Sequence, residues 1–301
     1  MGEAPEPGLP APDEVVVEIH ATGICGTDIA ILSGAYHART GVVLGHESAG
    51  VVARIGSAVA SVGVGDRVVI DPTFHCGFCR MCRTNRPNHC ERKDGTEAGV
   101  SHDGTFAPSY RCAERFVYRI PDDMDFAAAA LAEPLSCALT GVACLDVHLA
   151  HRTMVVGGGP LGVLYAWALS TRGLSGTVVE RSALRRSVLT GVLPPQWRWA
   201  STLEDVLAPY PNDPTPLDIA VDTSGSLTGR LLSLMARGGQ VLTIRLKSHP
   251  IEVEAGLVAD RSLRLIGSID SLQNSFAAAV DLIASGRIPT GSIVTHRFAP
   301  S

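Results

Sequence analysis

The stretch "HRTMVVGGGPLGVLYAWALSTRG", residues 151–173, reads as a buried strand, a glycine turn and an apolar helix in direct succession. It contains G-x-G-x-x-G as Gly157, Gly159 and Gly162. In such a turn the first glycine permits the tight bend, the second lets a pyrophosphate approach the backbone, and the third lets helix pack on strand. The helix start, with Pro160 and Leu161, then turns unpaired N–H groups toward phosphate. Glycine-rich turns are common, so the fingerprint needs support. Glu180 gives it by ending the next strand, "GTVVE" (176–180), close to the roughly 20-residue offset of a ribose-binding acid. A carboxylate there accepts hydrogen bonds from ribose hydroxyls and repels a 2′-phosphate, which favours NAD. Arg181 and Arg185 nearby can accommodate that phosphate and leave NADP open.

Outward from this turn, strand candidates recur at "PLDIAVDTSG" (216–225), "GGQVLTI" (238–244) and "SLRLIGS" (262–268). Helical patterns stand between them at "SLTGRLLSLMARG" (226–238) and "SFAAAVDLIASG" (275–286). Strands alternating with helices predict a doubly wound parallel sheet. Thr223, in "DTSG", falls at a strand end, where open α/β sheets bind ligands. Before Asp125 the texture differs. "EVVVEIHATG", "GVVARIG", "GDRVVIDP" and "RFVYRIPD" are short β-branched runs cut by glycine and aspartate, as in an all-β or barrel-like unit. The expected organisation is a β-rich unit over 1–125, an α/β unit over 126–290 and a return segment over 291–301.

Composition narrows the function. Across 301 residues the net charge is -5, so no basic field exists to displace counterions from nucleic acid. "MGEAPEPGLPAP" is acidic and proline-rich where an export signal would be basic and then apolar. The longest apolar run, "FAAAALAEPLSCALTGVACL" (126–145), is broken by Glu133 and Pro134 and makes a poor membrane span. The expectation is a cytoplasmic protein, where clustered cysteines bind metal more often than they form disulfides.

Four of the eight cysteines lie within "CGFCRMCRTNRPNHC" (76–90). Cys76, Cys79, Cys82 and Cys90 are spaced to converge as thiolates on one tetrahedral zinc. Gly77 can take backbone angles that a bulkier residue resists. Four thiolates leave no open position, so this metal staples a loop. An iron–sulfur cluster also takes four cysteines, but the spacing favours zinc. Of the others, Cys112, Cys137 and Cys144 sit in apolar company and are expected in the core. Cys25 differs, because "GICGTD" sets it in a glycine-flanked turn after a strand. His46 and Glu47 in "VLGHESAGVV" and Glu133 in "LAEPLSCAL" supply an imidazole and carboxylates from separate segments. Such a set suits a zinc site with one position left for water or substrate.

Taken in order, "GICGTD", "LGHE", the cysteine loop, "GTFAPSY", "AEPLSCAL", "VVGGGPLG" and "VTHRF" resemble the zinc-dependent medium-chain alcohol and polyol dehydrogenases over roughly residues 5–299. The resemblance implies a GroES-like catalytic domain before a Rossmann domain, and Cys25 and His46 as ligands of a catalytic zinc. Either Glu47 or Glu133 completes the set, since branches of the family differ. It implies hydride transfer between a secondary alcohol, such as a sugar alcohol, cyclitol or amino alcohol, and NAD or NADP. Thr27 would accept the alcohol proton, and the enzyme would be a homodimer or homotetramer. The family's next relay histidine is replaced by Ala30, which leaves water, the ribose or His37 to carry the proton on. The family also has a further opening strand and a longer return segment, so a truncated, weakly active binder of zinc and nucleotide is the competing expectation. A zinc-free quinone reductase-like relative is disfavoured by Cys25, His46 and the cysteine loop occurring together.

Overall fold

The computed structural model describes residues 6–93, 96–244 and 250–299. It falls into two compact units, one comprising residues up to Ser136 with Asp270–Thr290, the other Cys137–Ile269 with the residues from Gly291. The division lies inside a helix and not at residue 125, and residues 270–290 belong with the first unit. Two packing relationships explain this. The helix α3 (Phe126–Ala130) lies against the first two strands, and Phe276 packs on Tyr118 with ring centroids 4.9 Å apart and planes tilted by 37°.

In the first unit, β1 (Glu14–Gly23), β2 (Glu47–Ile55), β3 (Arg67–Ile70), β4 (Ser109–Ala113) and β5 (Val117–Arg119) form an antiparallel sheet in the order β4-β1-β2-β3-β5. Alternate residues of a strand face one side, and Val15, Val17, Val52, Val68, Ile70, Tyr110 and Cys112 fill its core. Two bulges in the β1–β2 pairing, at Val16/Val17 and Ile19/Ala21, sharpen the twist that bends this ladder. Two short helices carry metal-loop residues here, α1 (Gly26–Leu32) and α2 (Arg80–Arg83).

The second unit holds the parallel sheet. Its strands are β6 (Thr153–Val156), β7 (Gly176–Val179), β8 (Trp197–Ala200), β9 (Leu217–Asp222), β10 (Met235–Thr243) and β11 (Arg264–Gly267), in the order β11-β10-β9-β6-β7-β8. The order reverses between β6 and β9, which opens a crevice at their carboxyl ends. The helix α4 (Ala132–Ala143) spans the division, while α5 (Pro160–Ser170) and α6 (Ala183–Val188) follow β6 and β7. The run Phe126–Ala143 is apolar and long enough to cross a membrane, yet 61% of it is buried inside the protein.

Two readings change in detail. The run 226–238 is not one helix: it is helical over Thr228–Ser233, and β10 begins at Met235. Gly238, at φ +78°, lies in the register break that follows. Cys112 is buried, Cys137 is half-buried and Cys144 is exposed, so Cys144 is not a core residue. It lies just past the C-terminus of α4, where its thiol meets the Thr140 carbonyl oxygen at 3.4 Å instead of packing.

Candidate metal centres and dinucleotide turn

Ligand atoms of Cys25, His46 and Glu47 all lie within 4.8 Å of one another. Local chemistry sets the Cys25 turn. Cys25 caps α1 in a capping box: its Sγ accepts from the Thr27 N–H at 3.5 Å, and its own N–H donates to Asp28 Oδ2 at 2.8 Å. The other Asp28 oxygen accepts from the Gly45 N–H at 3.1 Å, so one buried carboxylate ties the cysteine turn to the residue before His46. Asp28 Oδ1 also stands 3.9 Å from His46 Nδ1. Glu47 arrives by sheet register, paired across β1–β2 with Gly23.

The electrostatics of this pocket suit a cation. Burial, then the Glu47 charge, push the Cys25 thiol up to about 12. Burial raises the Glu47 carboxyl, opposed by His46. For His46, burial works downward, but the carboxylates of Glu133, Glu47, Asp28 and Asp270 outweigh it and raise the imidazole. His46 Nδ1 is buried without a hydrogen-bond partner among the described residues. A sulfur, an imidazole and a carboxylate held this close without a counter-charge match the donor set of an open zinc site, because a divalent ion displaces the thiol proton and satisfies all three.

Glu133 lies outside this set. It is buried in the first turn of α4, near enough for its charge to act on His46. Thr27, in the first turn of α1, donates its backbone N–H to Cys25 Sγ. His37 is exposed, its ring 4.4 Å from that of Tyr36.

Cys76, Cys79, Cys82 and Cys90 also converge within 4.8 Å. Their sulfurs are 3.4 Å (Cys79–Cys82), 3.6 Å (Cys76–Cys90) and 3.9 Å (Cys76–Cys82 and Cys79–Cys90) apart. Zinc–sulfur bonds of about 2.3 Å at tetrahedral angles put sulfurs about 3.8 Å apart, whereas a disulfide would need about 2.0 Å. One mononuclear ion fits. The N–H groups of Cys76, Cys79 and Arg92 each point at a cysteine sulfur, at 3.4 Å, and favour the thiolate form. Gly77 sits at φ +83°, as its place in the turn requires.

In the second unit, Gly157 takes φ +96°, and a β-carbon on Gly162 would lie 1.8 Å from the Gly157 carbonyl oxygen. Nothing lies within 4 Å of a β-carbon at Gly159, the N-cap of α5, whose amides receive no side-chain cap. That leaves open space in front of free N–H donors, as a pyrophosphate needs. Pro160 and Leu161 form the first helical positions. The Thr223 hydroxyl donates to Val156 O at 2.8 Å and holds β9 to β6 beside the turn. Glu180 is buried and accepts from the N–H groups of Gly158 (3.0 Å) and Ser182 (2.8 Å) and from the Arg185 guanidinium (2.7 Å). Burial works to raise its pKa, yet these bonds prevail and hold the carboxyl below its ordinary range.

Asp28 and Gly23 were not singled out from the sequence. The signal for Asp28 was present, since Cys25 and Asp28 have capping-box spacing just after a strand.

The alcohol dehydrogenase GroES-like domain family matches residues 11–122. A protein of Aspergillus clavatus named "Probable D-xylulose reductase A" is 30% identical over 97% of this chain and 85% of its own length. Sorbitol dehydrogenase of Bacillus subtilis is 29% identical over 97% of this chain and 86% of its own. Among solved structures, a Sinorhizobium meliloti 1021 protein named as a zinc-binding dehydrogenase, bound to NADP, superposes with TM-score 0.83 at 29% identity, covering 94% of this chain and 84% of its own. Galactitol-1-phosphate dehydrogenase of Escherichia coli shares the fold, with TM-score 0.80 at 22% identity over 95% of this chain and 85% of its own. The chain belongs to the zinc-dependent medium-chain dehydrogenase/reductase family, as an alcohol or polyol dehydrogenase working with zinc and NAD(P).

Proposed function

We propose that the chain interconverts a secondary alcohol of a polyol, cyclitol or amino alcohol with its ketone, using a zinc held by Cys25 Sγ, the His46 imidazole and the Glu47 carboxylate. The observation that carries this is the grouping of those three donor atoms within 4.8 Å. Likeness to proteins named for xylulose and sorbitol supports a polyol substrate. The charge around His46 narrows it further. Glu133, Glu47, Asp28 and Asp270 all act on the imidazole from the acidic side. That field disfavours a phosphorylated substrate and suits a neutral polyol or a cationic amino alcohol.

Zinc supplies Lewis-acid polarisation of the substrate oxygen and the nicotinamide accepts the hydride. The chain's own residues do the rest. Asp28 fixes the cysteine turn and the approach of His46. Thr27, two residues past Cys25 and bonded to its sulfur through the backbone N–H, takes the hydroxyl proton. Cys76, Cys79, Cys82 and Cys90 hold the second, structural zinc. Gly157, Gly159, Pro160, Leu161 and Gly162 form the dinucleotide turn, with Thr223 fixing its shape. Glu180 addresses the adenosine ribose and favours NAD, with Arg185 in place to admit NADP. The edge strand β11, with Leu265 exposed on it, supports assembly into a homodimer or homotetramer.

The test is a panel assay on zinc-loaded protein with NAD and NADP. Xylitol and sorbitol are expected to turn over to their ketoses, and sorbitol 6-phosphate to be a poorer substrate in kcat/KM. Turnover surviving Cys25→Ser with metal stripped would sink the assignment.

A further inference from the structure

A cavity of about 560 Å³ opens beside the cysteine loop, and none of Cys25, His46 and Glu47 lines it. That volume lies within the usual range for small-molecule sites. Its walls bring three guanidinium groups, Arg92, Arg111 and Arg115, against a single carboxylate, Glu14. In a chain of net charge -5 this is a local reversal of sign. Arg111 is spoken for, with its Nε 3.3 Å from Glu14 Oε2. Arg92 and Arg115 make no ion pair among the described residues, so two guanidinium groups stand unpaired in a wall that also carries Cys76 of the cysteine loop.

Both of these arginines are exposed and lie over an aromatic ring. The Arg92 guanidinium carbon lies 4.5 Å from the Phe78 ring centroid and that of Arg115 lies 4.8 Å from the Phe116 centroid. Arg115 also donates to the His75 carbonyl oxygen at 3.1 Å. A guanidinium held over a ring by cation–π attraction still has N–H groups to offer an oxyanion. Phe74, Phe78 and Phe116 add aromatic surface to the wall, which His75, Cys76, Thr96, His102, Cys112 and Ala113 complete. Aromatic faces and forked donors in one hollow select for a ligand with both features.

We propose that this hollow is a second small-molecule site, separate from the dehydrogenase site, for an oxyanion carried on a flat apolar body. An aromatic phosphomonoester represents the class, because a phosphoryl group matches two guanidinium forks. The proposal does not depend on the Cys25, His46 and Glu47 assignment, while the folded cysteine loop supplies part of the wall through Cys76 and Arg92.

Phenyl phosphate is the probe, followed by ligand-observed NMR on the zinc-loaded full chain saturated with NADH, so that the dinucleotide crevice is filled. The expected result is saturable binding at one site per chain, with phenol and inorganic phosphate each at least about tenfold weaker. Arg92→Met and Arg115→Met, which keep an apolar stem on the rings, should each weaken phenyl phosphate by about tenfold or more. Their NADH affinity and turnover should match the parent, which shows that they are folded. The proposal is overturned by absence of saturable binding, by displacement with excess NADH, by phosphate or phenol binding as well as the ester, or by unchanged affinity in the Arg92→Met, Arg115→Met double variant.

Discussion

Gly23 and Glu47 face each other across the β1–β2 ladder, and a β-carbon on Gly23 would lie 2.0 Å from Glu47 Oε2. The absence of a side chain at one strand end thus creates the space in which the candidate ligand carboxylate sits. Gly23→Ala should push that carboxylate aside while leaving the cysteine loop alone. Metal analysis should fall from about two zinc ions per chain to about one, and kcat/KM by about 10–100-fold, the range for displaced metal-site support. A variant with full zinc and full activity would show that Glu47 does not hold the metal.

The cysteine loop makes the complementary prediction. Its four sulfurs bury no core of their own, so the ion supplies the folding energy of this loop. Cys82→Ser should lower the melting temperature by roughly 3 °C, taking about 2 kcal/mol for a protein of this size. The Cys25 site should keep its metal, and activity per zinc-loaded folded molecule should persist at low temperature.

On the proposed reading, the choice of dinucleotide falls to Glu180 and Arg185. The Arg185 guanidinium, 2.7 Å from Glu180 Oε2, offsets the one charge that would repel a 2′-phosphate. Arg185→Ala should raise the ratio of kcat/KM for NAD over NADP by about tenfold, the worth of one charge-assisted contact. Steady-state kinetics with both cofactors checks this, and an unchanged ratio would place the ribose elsewhere.

Local signals carried most of the fold into the sequence. The glycine turn at 157–162 and the β-branched runs are short-range patterns, and both sheets follow from them. The strands β4, "SYRCA", and β8, "WRWA", did not register because they are only five and four residues long and carry arginine on the outward face. The site was legible to the same depth. Cys25 and His46 stand in readable turns, while the choice between Glu47 and Glu133 depends on the register of β2 against β1, which pairs residues 24 positions apart in the chain. Asp28 was hidden for another reason: its cap to Cys25 is local, but its bond to Gly45 exists only once the sheet has formed.

Asp71 gives the chain a pH dependence that has nothing to do with the metal. It is buried at the end of β3, and one oxygen accepts from the Thr73 N–H (2.9 Å) and the Ser271 hydroxyl (3.0 Å). Burial raises its pKa to about 6, and these hydrogen bonds only partly offset that. The folded pKa therefore exceeds the unfolded value of about 3.9. Between those values the folded state holds more protons than the unfolded, so stability falls as pH rises through that window. The loss is complete above pH 6 and amounts to at most about 3 kcal/mol, from roughly two units at 1.36 each. Asn at this position can accept the same two bonds through its carbonyl oxygen without carrying charge. Asp71→Asn should accordingly be more stable than the parent at pH 7.5 in urea unfolding, with the gap closing near pH 4. A gap that is constant with pH, or that widens toward pH 4, would mean that Asp71 is ionised in the folded state at no cost.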